Sequence, residues 1–142
     1  MFNIPIPGGT TGHAVGSAII AILLGPWTAV LAVSVVLIIQ ALLFGDGGIT
    51  AIGENCFNMA VVMPFVSYWI FKVIKGNAER GTRLAVAAFL AGYLGLVMAA
   101  LITAVEFGIQ PLIATGADGR PLYAPYPLAF AVPAMVLEHL VP

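Results

Sequence analysis

Charge is what this chain has least of. Lys, Arg, Asp and Glu make up 8% of its 142 residues, while 61% are hydrophobic; soluble domains carry about a quarter charged residues. That supply cannot cover a water-facing surface, so a soluble fold is excluded. Five basic residues face six acidic ones, which leaves no basic footprint for nucleic acid. The single cysteine, Cys56, excludes an internal disulfide framework. No basic segment precedes an apolar one at Met1-Phe2-Asn3-Ile4-Pro5, so no secretory signal is visible. Two histidines far apart in sequence cannot compose a nucleophile–base–orienter set, and an enzyme is not expected. Apolar–polar alternation is missing as well. The long continuous runs argue for membrane helices over a barrel.

Five such runs are separable, and they predict an all-α, polytopic transmembrane bundle forming one integral membrane domain over residues 1–142. The first begins near His13 and ends at Leu24-Gly25-Pro26, too short to span a core of about 30 Å. Thr28–Phe44 follows, closed by Gly45-Asp46-Gly47-Gly48, with Pro26 suited to the first helical turn and Trp27 to an interface. Thr50–Val73 is polar in its first third. Leu84–Phe107 carries Ala91, Gly92, Gly95, Ala99 and Ala100 at spacings that allow close helix approach. A turn-rich loop over Gln110–Pro125 precedes the last run, Tyr126 into Pro142, interrupted by Pro133.

Lys72, Lys75, Arg80 and Arg83 lie in one loop, which places the Lys72–Arg83 loop in the cytoplasm. Counting outwards from it puts His13, Asp46, Glu54, Asn55 and Glu106 towards the external half of the membrane. Polar groups converging at one end of an apolar bundle make a candidate site, since ionisable residues at membrane depth are costly.

His13, in Pro7-Gly8-Gly9-Thr10-Thr11-Gly12-His13, is the sharpest candidate. Neutral imidazole ligates Ni, Co, Zn and Cu ions, and flanking glycines let backbone approach an ion. Residue type alone leaves a second reading open, in which Thr11 or Gly12 caps a helix and His13 bonds a neighbouring loop. Asp46 beside Gly47 suits a cation or a turn, the turn being the commoner use. Glu54, Asn55 and Asn58 suit supporting or packing roles better than ligation. His139, beside Glu138, lies thirteen residues beyond Tyr126, about 20 Å deeper at 1.5 Å per residue, and should not meet His13. Cys56 reads as a small buried residue. The glycine run lacks the Lys-Ser/Thr ending of a phosphate loop, so no nucleotide site is read there.

Several stretches together resemble one family. They are Pro5-Ile6-Pro7-Gly8-Gly9-Thr10-Thr11-Gly12-His13, Leu24-Gly25-Pro26-Trp27, Gln40 to Thr50 through Gly45-Asp46-Gly47-Gly48, and Asn55-Cys56-Phe57-Asn58-Met59-Ala60. The chain resembles the CbiM/NikM family, the substrate-capture components of energy-coupling factor importers for cobalt and nickel ions. The resemblance implies a Co²⁺ or Ni²⁺ site near the outer surface, the ion being cargo with no resident cofactor. It also implies a transmembrane coupling component, cytoplasmic ATP-binding subunits and a small accessory membrane subunit as partners, in the cell inner membrane. Cobalt import would supply cobalamin synthesis. In the family the ion is held by the amino terminus, the amide and imidazole of a His in second position, and the His of Gly-Gly-Thr-x-Gly-His, which falls on His13. Thr11, Asp46, Asn55 and Asn58 would orient His13 and seal the pocket.

This sequence departs from the pattern at position 2, which is Phe2, and stops at Leu140-Val141-Pro142. The expectation is therefore a truncated member carrying one of the ligands; the alternative is a structural membrane subunit that no longer binds metal.

Overall fold

The computed structural model describes residues 3–6, 10–13, 16–122 and 126–140, and of residues 3–6, 10–13, 138 and 140 the backbone alone. Helices account for most of the architecture, as expected. The first departure is at the start. Asn3–Ile6 (β1) and Thr10–His13 (β2) pair as an antiparallel hairpin, with Asn3 opposite His13 and Pro5 opposite Thr11. Ile and Thr favour extended backbone, and the sequence between the two strands, Pro7-Gly8-Gly9, has turn composition. His13 therefore ends a strand instead of opening a helix. The first helix, α1, begins only at Ser17 and runs to Leu24, with Gly16 before it and no side-chain cap.

Helix α2 (Pro26–Ile39) starts with its proline in the first turn, where a missing N–H costs nothing. It runs on through a π-helical turn, Gln40–Phe44, to give one apolar rod of 19 residues. The next rod, Ile49–Lys75, has 27 residues. It comprises a 3₁₀ turn (Ile49–Ala51), α3 (Ile52–Asn55), a π-helical segment (Cys56–Val62) and α4 (Met63–Lys75). Helix α5 (Thr82–Ile113) has 32 residues and outruns its expected end at Phe107. Pro111 loses only its own hydrogen bond there, and the last turn is still closed by Ala114 N–H on the Gln110 carbonyl at 2.9 Å. Helix α6 (Leu128–Leu140) follows with Pro133 inside it. Of the five apolar runs, the three rods are long enough to cross a membrane.

Packing is arranged as a membrane requires. Alanine and glycine line the contacts: Ala87, Ala91, Gly95, Ala99, Ala100, Ala104 and Gly108 are the buried positions of α5, which packs along α4 and α6. Large apolar side chains point outwards instead, including Leu31, Leu43, Phe44, Trp69 and Leu112. Lipid is as apolar as leucine, so helix association rests on close backbone approach and not on burying bulk. One such contact carries an unpartnered hydroxyl. Ser67 is fully buried, its Oγ has no hydrogen-bond partner among the described residues, and it sits against Gly95. Ser67→Ala removes a desolvated polar group from the contact between α4 and α5. It should leave thermal stability in detergent unchanged or raise it by about 1 kcal/mol; a clear fall would show that the hydroxyl has a partner.

Candidate metal-ion site

The polar end of the bundle is built from the loop between the first two rods. The π-helical turn Gln40–Phe44 stops at Gly45, whose left-handed backbone (φ 66°) bonds back to the Gln40 carbonyl. Asp46 N–H reaches the same carbonyl at 3.2 Å. Gly47 continues the loop at φ 76°, where a side chain would be strained. Its carbonyl accepts a hydrogen bond from Asn55 Nδ2 at 3.2 Å, which ties the loop to the start of the second rod. A Cβ on Gly47 would stand 2.7 Å from that same Nδ2. Gly47→Ala should therefore break the tie and destabilise by about 1–3 kcal/mol, read from thermal unfolding; an unchanged midpoint would contradict this account of the loop.

Asn58 does a different job. It is 2% exposed and lies in the π-helical segment. Its Nδ2 donates to Thr103 Oγ1 at 2.9 Å and to Glu106 Oε2 at 2.5 Å. Thr103 and Glu106 stand three residues apart on α5, hence on one face. Glu54, four residues before Asn58, lies within electrostatic reach of Glu106. So Asp46 and Asn55 are brought together, whereas Asn58 couples the second rod to α5.

The structure gives the backbone pairing of Thr11 and His13 in β2, and their side chains lie outside the described residues. Among the described residues, no group of three or more His, Cys, Asp and Glu side chains is placed to hold a metal ion. Cys56 is half-buried beside the Val33–Leu37–Ala60 cluster. His139 Nδ1 lies 2.7 Å from the Met135 carbonyl of its own helix. The residues missed from sequence are Thr103 and Glu106. Glu106 is one of the polar groups that the sequence places at this end, and the structure adds its bond to Asn58. The Thr103/Glu106 spacing of three on an otherwise apolar helix was the available signal.

Residues 1–141 match the family model described as "Cobalt uptake substrate-specific transmembrane region", CbiM. The chain belongs to the CbiM family. This CbiM-family chain is 60% identical over 141 residues to the fused nickel transport protein NikMN of Rhodobacter capsulatus, covering 99% of itself and 41% of that protein. It superposes on the crystal structure of a transition metal transporter with a TM-score of 0.91 at 49% identity, covering 100% of itself and 61% of that chain. A truncated transition metal transporter gives 0.90 at 50% identity, with 99% and 64% covered. The chain thus spans about two-fifths of the NikMN relative. Its family and its three long apolar rods identify it as a multi-pass membrane chain of a metal-transport family.

Proposed function

We propose that this chain is the substrate-binding membrane component of an ATP-driven energy-coupling factor importer for Ni²⁺ or Co²⁺, not an enzyme. The observation that carries the reading is the family match over residues 1–141, with a nickel-named relative at 60% identity. His13 is the proposed ligand from this chain. Neutral imidazole suits Ni²⁺ and Co²⁺, and an all-nitrogen set disfavours Mg²⁺ and Ca²⁺, which take oxygen. Thr11, Asp46, Asn55 and Asn58 act behind it, holding the strand end, the glycine loop and the second rod in one arrangement. Residues 1–142 work as one membrane domain.

ATP hydrolysis falls to cytoplasmic subunits acting through a transmembrane coupling component, because no phosphate loop is present in the chain. A small accessory membrane subunit completes the assembly. The Lys72–Arg83 loop faces the cytoplasm of a cell inner membrane and His13 faces outwards. Where the ion is cobalt, the pathway served is cobalamin synthesis.

Two measurements test this. Uptake-deficient cells producing the chain with its coupling and ATP-binding subunits should accumulate radiolabelled Ni²⁺ or Co²⁺. Accumulation no higher than in empty-vector cells would instead favour a structural subunit that no longer binds metal. Orientation is tested with Ala78→Cys in a Cys56→Ser background. A membrane-impermeant maleimide should label that position only after the cells are opened; labelling of intact cells would invert the topology.

A further inference from the structure

We propose that Glu106 is a positioning residue of the ion site, acting through Asn58 on the loop that carries Asp46; this rests on the ion-site reading above. The route is short. Glu106 Oε2 and Thr103 Oγ1 accept both hydrogens of the Asn58 amide. Asn58 and Asn55 are one turn apart on the same rod, and Asn55 holds the Gly47 carbonyl. Fixing the rotation of that rod about its axis therefore fixes where Asn55 presents its amide, and with it the Gly45–Gly48 loop.

Three physical points single out Glu106 within this route. A half-buried carboxylate in an apolar rod is expensive and is kept where it has a role. Among the described residues no Lys, Arg or His forms an ion pair with it; the ion pair found there is Arg120 with Asp118 on an exposed loop. Asn58 is its hydrogen-bond donor, and a bond to a carboxylate is stronger than the neighbouring neutral one to Thr103. Lastly, Asn58 lies in π-helical backbone. Such a turn interrupts the regular α ladder, and turns of this kind recur at functional positions.

The test compares wild type with Glu106→Ala, Glu106→Gln, Asn58→Asp, and the double variant Asn58→Asp/Glu106→Gln. Two readouts are taken on the purified protein: Ni²⁺ affinity, and amide hydrogen exchange across residues 45–48. Glu106→Ala should weaken Ni²⁺ binding about 10–100-fold, the usual cost of losing a ligand-orienting partner, and speed exchange in the loop. Glu106→Gln keeps an acceptor and should lose clearly less than the about 10-fold that marks a lost orienting partner. Asn58→Asp sets two carboxylates against each other and should behave like Glu106→Ala. The double variant restores the bond with its polarity reversed, acceptor on the second rod and donor on α5, and should recover both readouts. A role in packing alone would not produce that recovery.

Wild-type affinity and exchange in Glu106→Ala would overturn the proposal. So would a double variant no better than Asn58→Asp, or a Glu106→Gln loss as large as that of alanine. If wild-type binding is absent or indifferent to His13→Ala, the ion-site reading fails. Loop exchange then still decides whether Glu106 holds residues 45–48.

Discussion

His13→Ala is expected to lower Ni²⁺ and Co²⁺ affinity by about 100-fold or more and to reduce uptake to the level of cells lacking the protein. The imidazole is the only side-chain nitrogen in Thr10–His13, and on the proposed reading nothing beside it replaces that donor once it is gone. Water can fill the position, but that moves the site towards an oxygen set, which Mg²⁺ and Ca²⁺ satisfy equally well. Selectivity should therefore fall together with affinity. Stability should not. The backbone pairing of His13 with Asn3 is one that alanine preserves. The variant should melt within about 0.5 kcal/mol of wild type, the range of a substitution that disturbs no core, cap or strained backbone. Equilibrium Ni²⁺ binding and a thermal melt on the same preparation separate the two effects. Lost binding with an intact melt is the expected pair.

Gly108→Leu should have the largest effect on folding. A Cβ built on Gly108 stands 2.8 Å from the Leu128 Cα, and that is backbone, which cannot rotate away. Helices α5 and α6 meet there almost in direct backbone contact, so any added carbon forces them apart. Overpacking within a close-packed interior costs about 1–3 kcal/mol. A full leucine against backbone should reach or exceed the top of that range, because it wedges open the start of α6. The matching change at Gly95 meets Ser67, a side chain, together with the Met63 carbonyl at 3.4 Å. Gly95→Ala paired with Ser67→Ala should therefore recover much of the loss, whereas no single partner change rescues Gly108→Leu. Thermal unfolding of the four proteins in one detergent checks the ordering, and equal losses at Gly95 and Gly108 would contradict it.

Much of this architecture was readable in the residues because a membrane imposes few choices. Continuous apolar runs located the three rods. Pro26 and the Gly45–Gly48 cluster marked where α2 starts and where its rod ends. The small residues of α5 announced the side that packs. What escaped was backbone detail decided by partners instead of by composition. Thr10–His13 looked like a helix entrance because an apolar run follows it; its β-branched threonines pair with Asn3–Ile6 instead. The extension of α5 past Phe107 was hidden by Pro111, whose ring is tolerated because its neighbours keep the last turn closed.

The site divides in the same way. Asn55 and Asp46 were legible as a polar cluster beside glycines, and the structure joins them through the Gly47 carbonyl. The Asn58–Glu106 link joins residues 48 apart in sequence, and no local pattern reports a contact of that range. Neither π-helical turn could be foreseen, since i→i+5 bonding leaves no compositional trace. Both fall near the polar loop, and such turns recur at functional positions.

The central claim is that His13 is a nitrogen ligand of a transported transition-metal ion. X-ray absorption on the Ni²⁺-loaded protein tests it most directly, with His13→Ala run beside it. The account predicts imidazole nitrogen in the first shell, with scattering that disappears from the variant. An all-oxygen shell, or imidazole scattering that is the same in both proteins, would contradict it.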